Sequence, residues 1–189
     1  MKTPMQPGRT MNPASETALP LRAMVHASLF AALTAVGAYV AIPIGPVPIV
    51  LQNLFVFLSG LLLGPRWGAV SVALYLLAGA CGLPVFAGGT GGIGRFAGPT
   101  GGFLVGYLPA VALIGWLARL RTGGMGRDVA AMLSGTVALY ACGVPWLAVV
   151  TGLPIAKALA AMLPFLPGDA VKIAAAAAIA RSVRPLMRP

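Results

Sequence analysis

The stretch GGTGGIGRFAGPTGG, Gly88 to Gly102, decides between two folds. Its Gly89-x-Gly91-x-x-Gly94 spacing spells the dinucleotide-binding fingerprint, which would make the chain an α/β protein. That fingerprint needs a strand before it, a helix after it and an acidic residue about 20 positions further on. Here a long apolar run precedes it, and no acidic residue follows until Asp128. A phosphate loop of the Gly-Lys-Ser/Thr type is excluded as well, because the chain contains no Gly-Lys pair. A flexible linker mixes glycine with serine, whereas this one holds Ile93, Arg95, Phe96 and Pro99. What remains is a structured loop. Glycine allows tight turns and close backbone approach there, and the lone Arg95 is suited to a carboxylate.

Composition says what the loop connects. Of 189 residues, 59% are hydrophobic and 8% charged, with a mean hydropathy of +0.92. A soluble domain carries about 25% charged residues, so too few polar side chains remain to cover a water-facing surface. The chain reads as an all-α integral membrane protein. The net charge of +10 does not point to nucleic acid, because the 13 basic residues lie in short connections between apolar runs rather than in one patch. Cys81 and Cys142 are far apart in apolar segments and read as small packing residues. With a single histidine and no metal-ligand spacing, no metal site is expected. His26 reads as a residue at a helix end near the membrane interface.

The apolar runs cover about residues 23–42, 49–63, 69–83, 103–120, 129–150 and 170–183, with a short run at 155–163. Proline and glycine punctuate them at PIGPVP, GPRWG, TGLP and PFLPGD. Several are shorter than the roughly 20 residues of a simple span. The expected count is six transmembrane helices; five plus a re-entrant piece is the alternative, and 155–163 is either an interfacial helix or part of a connection. Residues 1–21 are expected to be a disordered polar lead, 22–184 the membrane domain and 185–189 a basic tail. No internal repeat is visible. With the N-terminus inside and six spans, ten basic residues fall inside and two, Arg95 and Lys157, outside. This agrees with the positive-inside rule. Both termini are then cytoplasmic, and the glycine-rich loop and PFLPGD share the outer side.

Of three acidic residues, Glu16 lies in the lead and Asp128 suits the N-terminus of the fifth span. Asp169 heads the last span, with Lys172 three residues on and on the same helix face. An ionisable side chain costs about 2.5–3.5 kcal/mol at the centre of a membrane span, so this pair is a candidate site. The alternative is a helix cap at Asp169 and a snorkelling Lys172. Gln52 and Asn53 follow the stiff PIGPVP loop and can hydrogen-bond either a ligand or a neighbouring helix. Thr90 joins Arg95 among the loop candidates. Ala27, Ala31 and Ala35 form a ridge of small residues that admits another helix, from a partner or from the same bundle.

GGTGGIGRFAGPTGGFLVGY, with PIGPVPIVLQ before it and LPFLPGDAVK after it, resembles the BioY family, the biotin-specific substrate-binding subunits of energy-coupling factor (ECF) transporters. The likeness covers about residues 22–184. It implies six membrane helices around a ligand cavity on the outer face, closed over by the loops after the first and third spans. It implies that Asp169 and Lys172 hold the ureido head of biotin and that Arg95 approaches the valerate carboxylate. It implies that the Ala27/Ala31/Ala35 ridge docks on a transmembrane coupling protein, which two ATPases energise. The remaining partners are membrane lipid and, for a homo-oligomer, further copies of the chain. No cofactor is implied. Two other readings compete: a subunit for another vitamin, and an intramembrane enzyme, for which no nucleophile with a base, carboxylate pair or metal cluster is in view.

Overall fold

The structure, a computed structural model, describes residues 13–187 apart from 44–45 and 121–123. It is helical throughout: α1 (Pro13–Tyr39), α2 (Gln52–Ala80), α3 (Gly94–Ala97), α4 (Gly101–Arg119), α5 (Met125–Thr151), α6 (Ile155–Ala160) and α7 (Phe165–Met187). A two-residue hairpin, β1 (Ala41–Ile42) against β2 (Ile49–Val50), joins α1 to α2. Four helices are long and apolar enough to cross a membrane: Leu21–Tyr39, Gln52–Ala80, Gly101–Arg119 and Met125–Thr151. Their outer faces expose Leu29, Val36, Leu77, Val105, Val137 and Val149, the side chains that lipid rather than water accommodates. Of the expected lead, residues 1–12 lie outside the described residues, and from Pro13 onward the chain is already helical. Proline is well placed at a first helical position. At the other end α7 runs on to Met187, into the expected tail.

The second and third apolar runs form one continuous element only in name. At Gly64 the backbone adopts φ 79° and ψ −174°, a conformation that in practice only glycine takes. There the chain turns back on itself. A Cβ on Gly68 would lie 3.2 Å from the Ser59 carbonyl, whereas nine residues along one straight helix would separate them by about 13.5 Å. Pro65, which has no N–H to satisfy, starts the returning arm. Arg119 fills the turn from α4, donating from Nη2 to the Leu63 carbonyl at 3.0 Å, and so satisfies one of the carbonyls that a helix end leaves unpaired. A methyl group at Gly64 would run into that guanidinium.

Two apolar cores follow from this arrangement. One gathers Phe57, Leu61, Ile114, Met132 and Ala177 at the end of the bundle where Arg119 meets Leu63. At the same end Arg184 of α7 grips Asp128 of α5 through both carboxylate oxygens, at 2.8 and 2.9 Å. The other core gathers Tyr75, Phe86, Phe103, Tyr107 and Leu139 at the opposite end. The alanine ridge faces inward. Ala27 is fully buried, and Ala31 and Ala35 pack against the core. On this face α1 lies against α2, where Gly37 meets the Gln52 backbone, while Ala31 and Ala35 stay partly exposed. Cys81 and Cys142 are both exposed, not packed away as expected.

The glycine-rich segment is a folded cap. Phe86 N–H donates to the Thr90 carbonyl at 2.8 Å, and the buried Phe86 ring meets Tyr75 and Phe96 edge-on at 5.5 and 5.7 Å. Its two ends are tied to the bundle. The Tyr39 hydroxyl of α1 donates to the Pro84 carbonyl, and Trp146 Nε1 of α5 donates to the Gly98 carbonyl at 2.9 Å.

Candidate functional site

Beneath this cap lies a cavity with about 630 Å³ of empty space, its open mouth included. Its walls are largely apolar: Val47 and Val50 from the hairpin, Phe86 from the cap, Phe103 from α4, Leu139 from α5 and Phe165 from α7. Phe103 owes its position to Gly143, since any side chain at Gly143 would overlap the Phe103 ring. Polar groups reach the cavity from five elements. Gln52 and Asn53 come from the start of α2, Arg95 from the cap, Tyr107 and Tyr140 from α4 and α5, and Lys172 from α7.

Asp169 anchors the polar end from just behind the wall, bonded to Lys172, Asn53 and Tyr140, which line it. It is 3% exposed and Lys172 7% exposed, with Lys172 Nζ 3.1 Å from Asp169 Oδ1. The i, i+3 spacing on α7 brings the two together, as the sequence predicts. Asp169 is not a helix cap, because α7 begins four residues earlier at Phe165; Lys172 does not snorkel, because it is buried and paired. Asn53 Nδ2 also reaches Asp169 Oδ1, at 3.4 Å. Tyr140 donates to Asp169 Oδ2 at 2.5 Å, and Tyr107 bonds Asn53 Oδ1 at 2.6 Å. A buried ion pair repays its desolvation only when hydrogen bonds complete it; here α2 and α5 each supply one, and Tyr107 of α4 holds Asn53 in place.

Arg95, Gln52 and Lys172 therefore line one cavity although 120 positions separate the first of them in sequence, Gln52, from the last. Gln52 is 2% exposed, and among the described residues its Nε2 and the Arg95 Nε have no hydrogen-bond partner. Thr90 is the exception among the candidates. It is not on the cavity wall, and its hydroxyl donates to the Ala87 carbonyl at 3.0 Å, so it shapes the cap. Tyr107 and Tyr140 escaped the sequence reading. The available signal was a hydroxyl placed deep in an apolar run, which needs a partner where water is scarce. Among the described residues no group of three or more His, Cys, Asp and Glu is placed to hold a metal ion.

Comparison with known proteins places this arrangement. A family model described as BioY family matches residues 9–189. A biotin transporter BioY of Rhizobium etli is 43% identical over 86% of this chain and 92% of its own length. One from Thermotoga maritima is 41% identical over 88% of this chain and 98% of its own. A crystal structure of the S-component for biotin from an ECF-type ABC transporter superimposes with a TM-score of 0.84 at 31% identity, covering 93% of this chain and 95% of that one. The match over nearly the whole length, on the same helical framework, shows that the chain belongs to the BioY family.

Proposed function

We propose that this protein takes up biotin, binding it in the capped cavity and passing it across the membrane as the substrate-binding subunit of an ECF-type transporter. The observation that carries the reading is Lys172 on the wall of a largely apolar cavity, paired with Asp169 just behind it. The ureido ring of biotin offers N–H donors and a carbonyl acceptor, to which a carboxylate and an ammonium are complementary. The apolar walls suit the sulfur-containing ring and the alkyl chain. Arg95, with its unpartnered Nε at the cap, suits the carboxylate at the end of that chain. Gln52 Nε2 is a further donor for the same ligand.

The membrane arrangement proposed with it has six spans: α1, the two arms of α2, α4, α5 and α7. Both termini face the cytoplasm and the cap faces outward. The basic side chains Arg119 and Arg184 lie at the end of the bundle away from the cavity, as the positive-inside rule requires. The membrane is the bacterial cytoplasmic membrane. A coupling protein and two ATPases supply the energy. The relatives are transporters, and nothing supports the enzyme reading.

Titration of the purified protein with labelled biotin tests the proposal. Binding in the nanomolar to micromolar range is expected, with other vitamins failing to compete. Asp169→Asn and Lys172→Ala should each weaken binding by about tenfold or more, the worth of a hydrogen bond to a charged group. Unchanged affinity in both variants would remove this site, and an absence of biotin binding would end the assignment.

A further inference from the structure

The hydrogen bonds at the polar end of the cavity run in one direction, and that direction is fixed by chemistry. An ionised carboxylate can only accept. Asp169 has three neighbours within hydrogen-bond reach: Lys172 Nζ at 3.1 Å, Asn53 Nδ2 at 3.4 Å and the Tyr140 hydroxyl at 2.5 Å. All three must donate. Asn53 therefore turns its N–H2 toward Asp169 and its Oδ1 toward Tyr107, whose hydroxyl, 2.6 Å away, must donate in turn. The protons of both tyrosines are thus committed inside the protein. Each hydroxyl oxygen keeps a lone pair; both tyrosines are on the cavity wall, and Tyr140 is the one bonded directly to Asp169.

We propose that Tyr140 is a specificity-determining residue that meets the ligand as an acceptor only, receiving one N–H of the head group while Asp169 receives the other. The inference rests on the biotin reading above and sharpens it. Lys172, an ammonium with three N–H groups and one spent on Asp169, then donates to the head-group carbonyl. Two acceptors beside one donor select a ring with two N–H groups flanking a carbonyl, which is a cyclic urea. A carboxylate, which can only accept, finds no matching partner at Tyr140 or Asp169. The ligand is thereby oriented with its acid end toward Arg95.

The test pairs Tyr140→Phe with two biotin analogues, each having one ureido N–H replaced by a ring oxygen to give a cyclic carbamate. Phenylalanine keeps the ring that meets Phe103 edge-on at 6.2 Å and removes only the hydroxyl. In the unaltered protein both analogues should bind at least about tenfold more weakly than biotin, because each N–H has an acceptor. In Tyr140→Phe one analogue should lose most of its penalty while the other keeps it. Equal penalties in variant and unaltered protein, for both analogues, would overturn the role of Tyr140 and leave the biotin assignment standing. An analogue that binds the unaltered protein as well as biotin does would overturn it too, and that measurement holds even if the variant does not fold. Failure of biotin itself to bind would sink the assignment and this inference together.

Discussion

Lys172 sits in a run of alanines and isoleucines where a cation is costly, and two protein groups on two other elements converge on its partner, one of them held by Tyr107, to make the position tolerable. This pair was legible in the sequence because ionisable residues are rare in apolar runs, so each one stands out. The two tyrosines were not legible. An aromatic hydroxyl in a membrane segment reads equally well as an interface anchor, and only the fold shows that Tyr140 meets the Asp169 carboxylate directly and Tyr107 through Asn53. Thr90 shows the opposite case, since a loop threonine looks available in sequence and the fold shows its hydroxyl bonded three residues back. Arg95 carries the next prediction. If its guanidinium meets the ligand carboxylate, Arg95→Gln should weaken biotin binding by roughly 10–100-fold yet leave biotin amide, which lacks the charge, almost unaffected. Competition binding with the acid and the amide checks this. An equal loss for both would mean that Arg95 only holds the cap in place.

Among the elements, helix breaks were the most readable feature. Proline and glycine clusters ended the apolar runs close to where the chain turns, at PIGPVP, GPRWG and TGLP. Which face of a helix turns inward was less readable. An alanine at every fourth position marks a face that admits a close neighbour, but not whose helix that neighbour is. In α1 the protein's own α2 packs alongside, and Ala31 and Ala35 stay partly exposed. The reversal at Gly64 is the sharpest local requirement on the backbone. Gly64→Ala should cost about 1–3 kcal/mol for the forced conformation, and displacement of Arg119 from the Leu63 carbonyl adds to that. Unfolding in mixed micelles with increasing denaturing detergent measures it. Biotin affinity of the folded fraction should stay the same, because the turn and the cavity belong to opposite ends of the bundle.

At the scale of the whole molecule, the two cores divide the labour. One end is closed by apolar packing and the bidentate Arg184–Asp128 pair, and the other is a cavity under a cap tied down by Tyr39 and Trp146. Composition was enough to read the class of protein. The tertiary pairing of distant segments, Asn53 with Asp169 or Trp146 with Gly98, has no local signature and had to be seen. The two-armed α2 carries a consequence for biogenesis. Its first arm, residues 52–63, is about 18 Å long at 1.5 Å per residue, well short of a hydrocarbon core of about 30 Å. Such an arm is a poor substrate for insertion until its partner emerges, so the hairpin should enter the bilayer as a pair. A reporter fused after Arg66 should therefore remain on the outer side, while one fused after Arg119, with both arms and α4 made, should report from the cytoplasm. Cytoplasmic activity from the shorter fusion would show that the first arm inserts by itself.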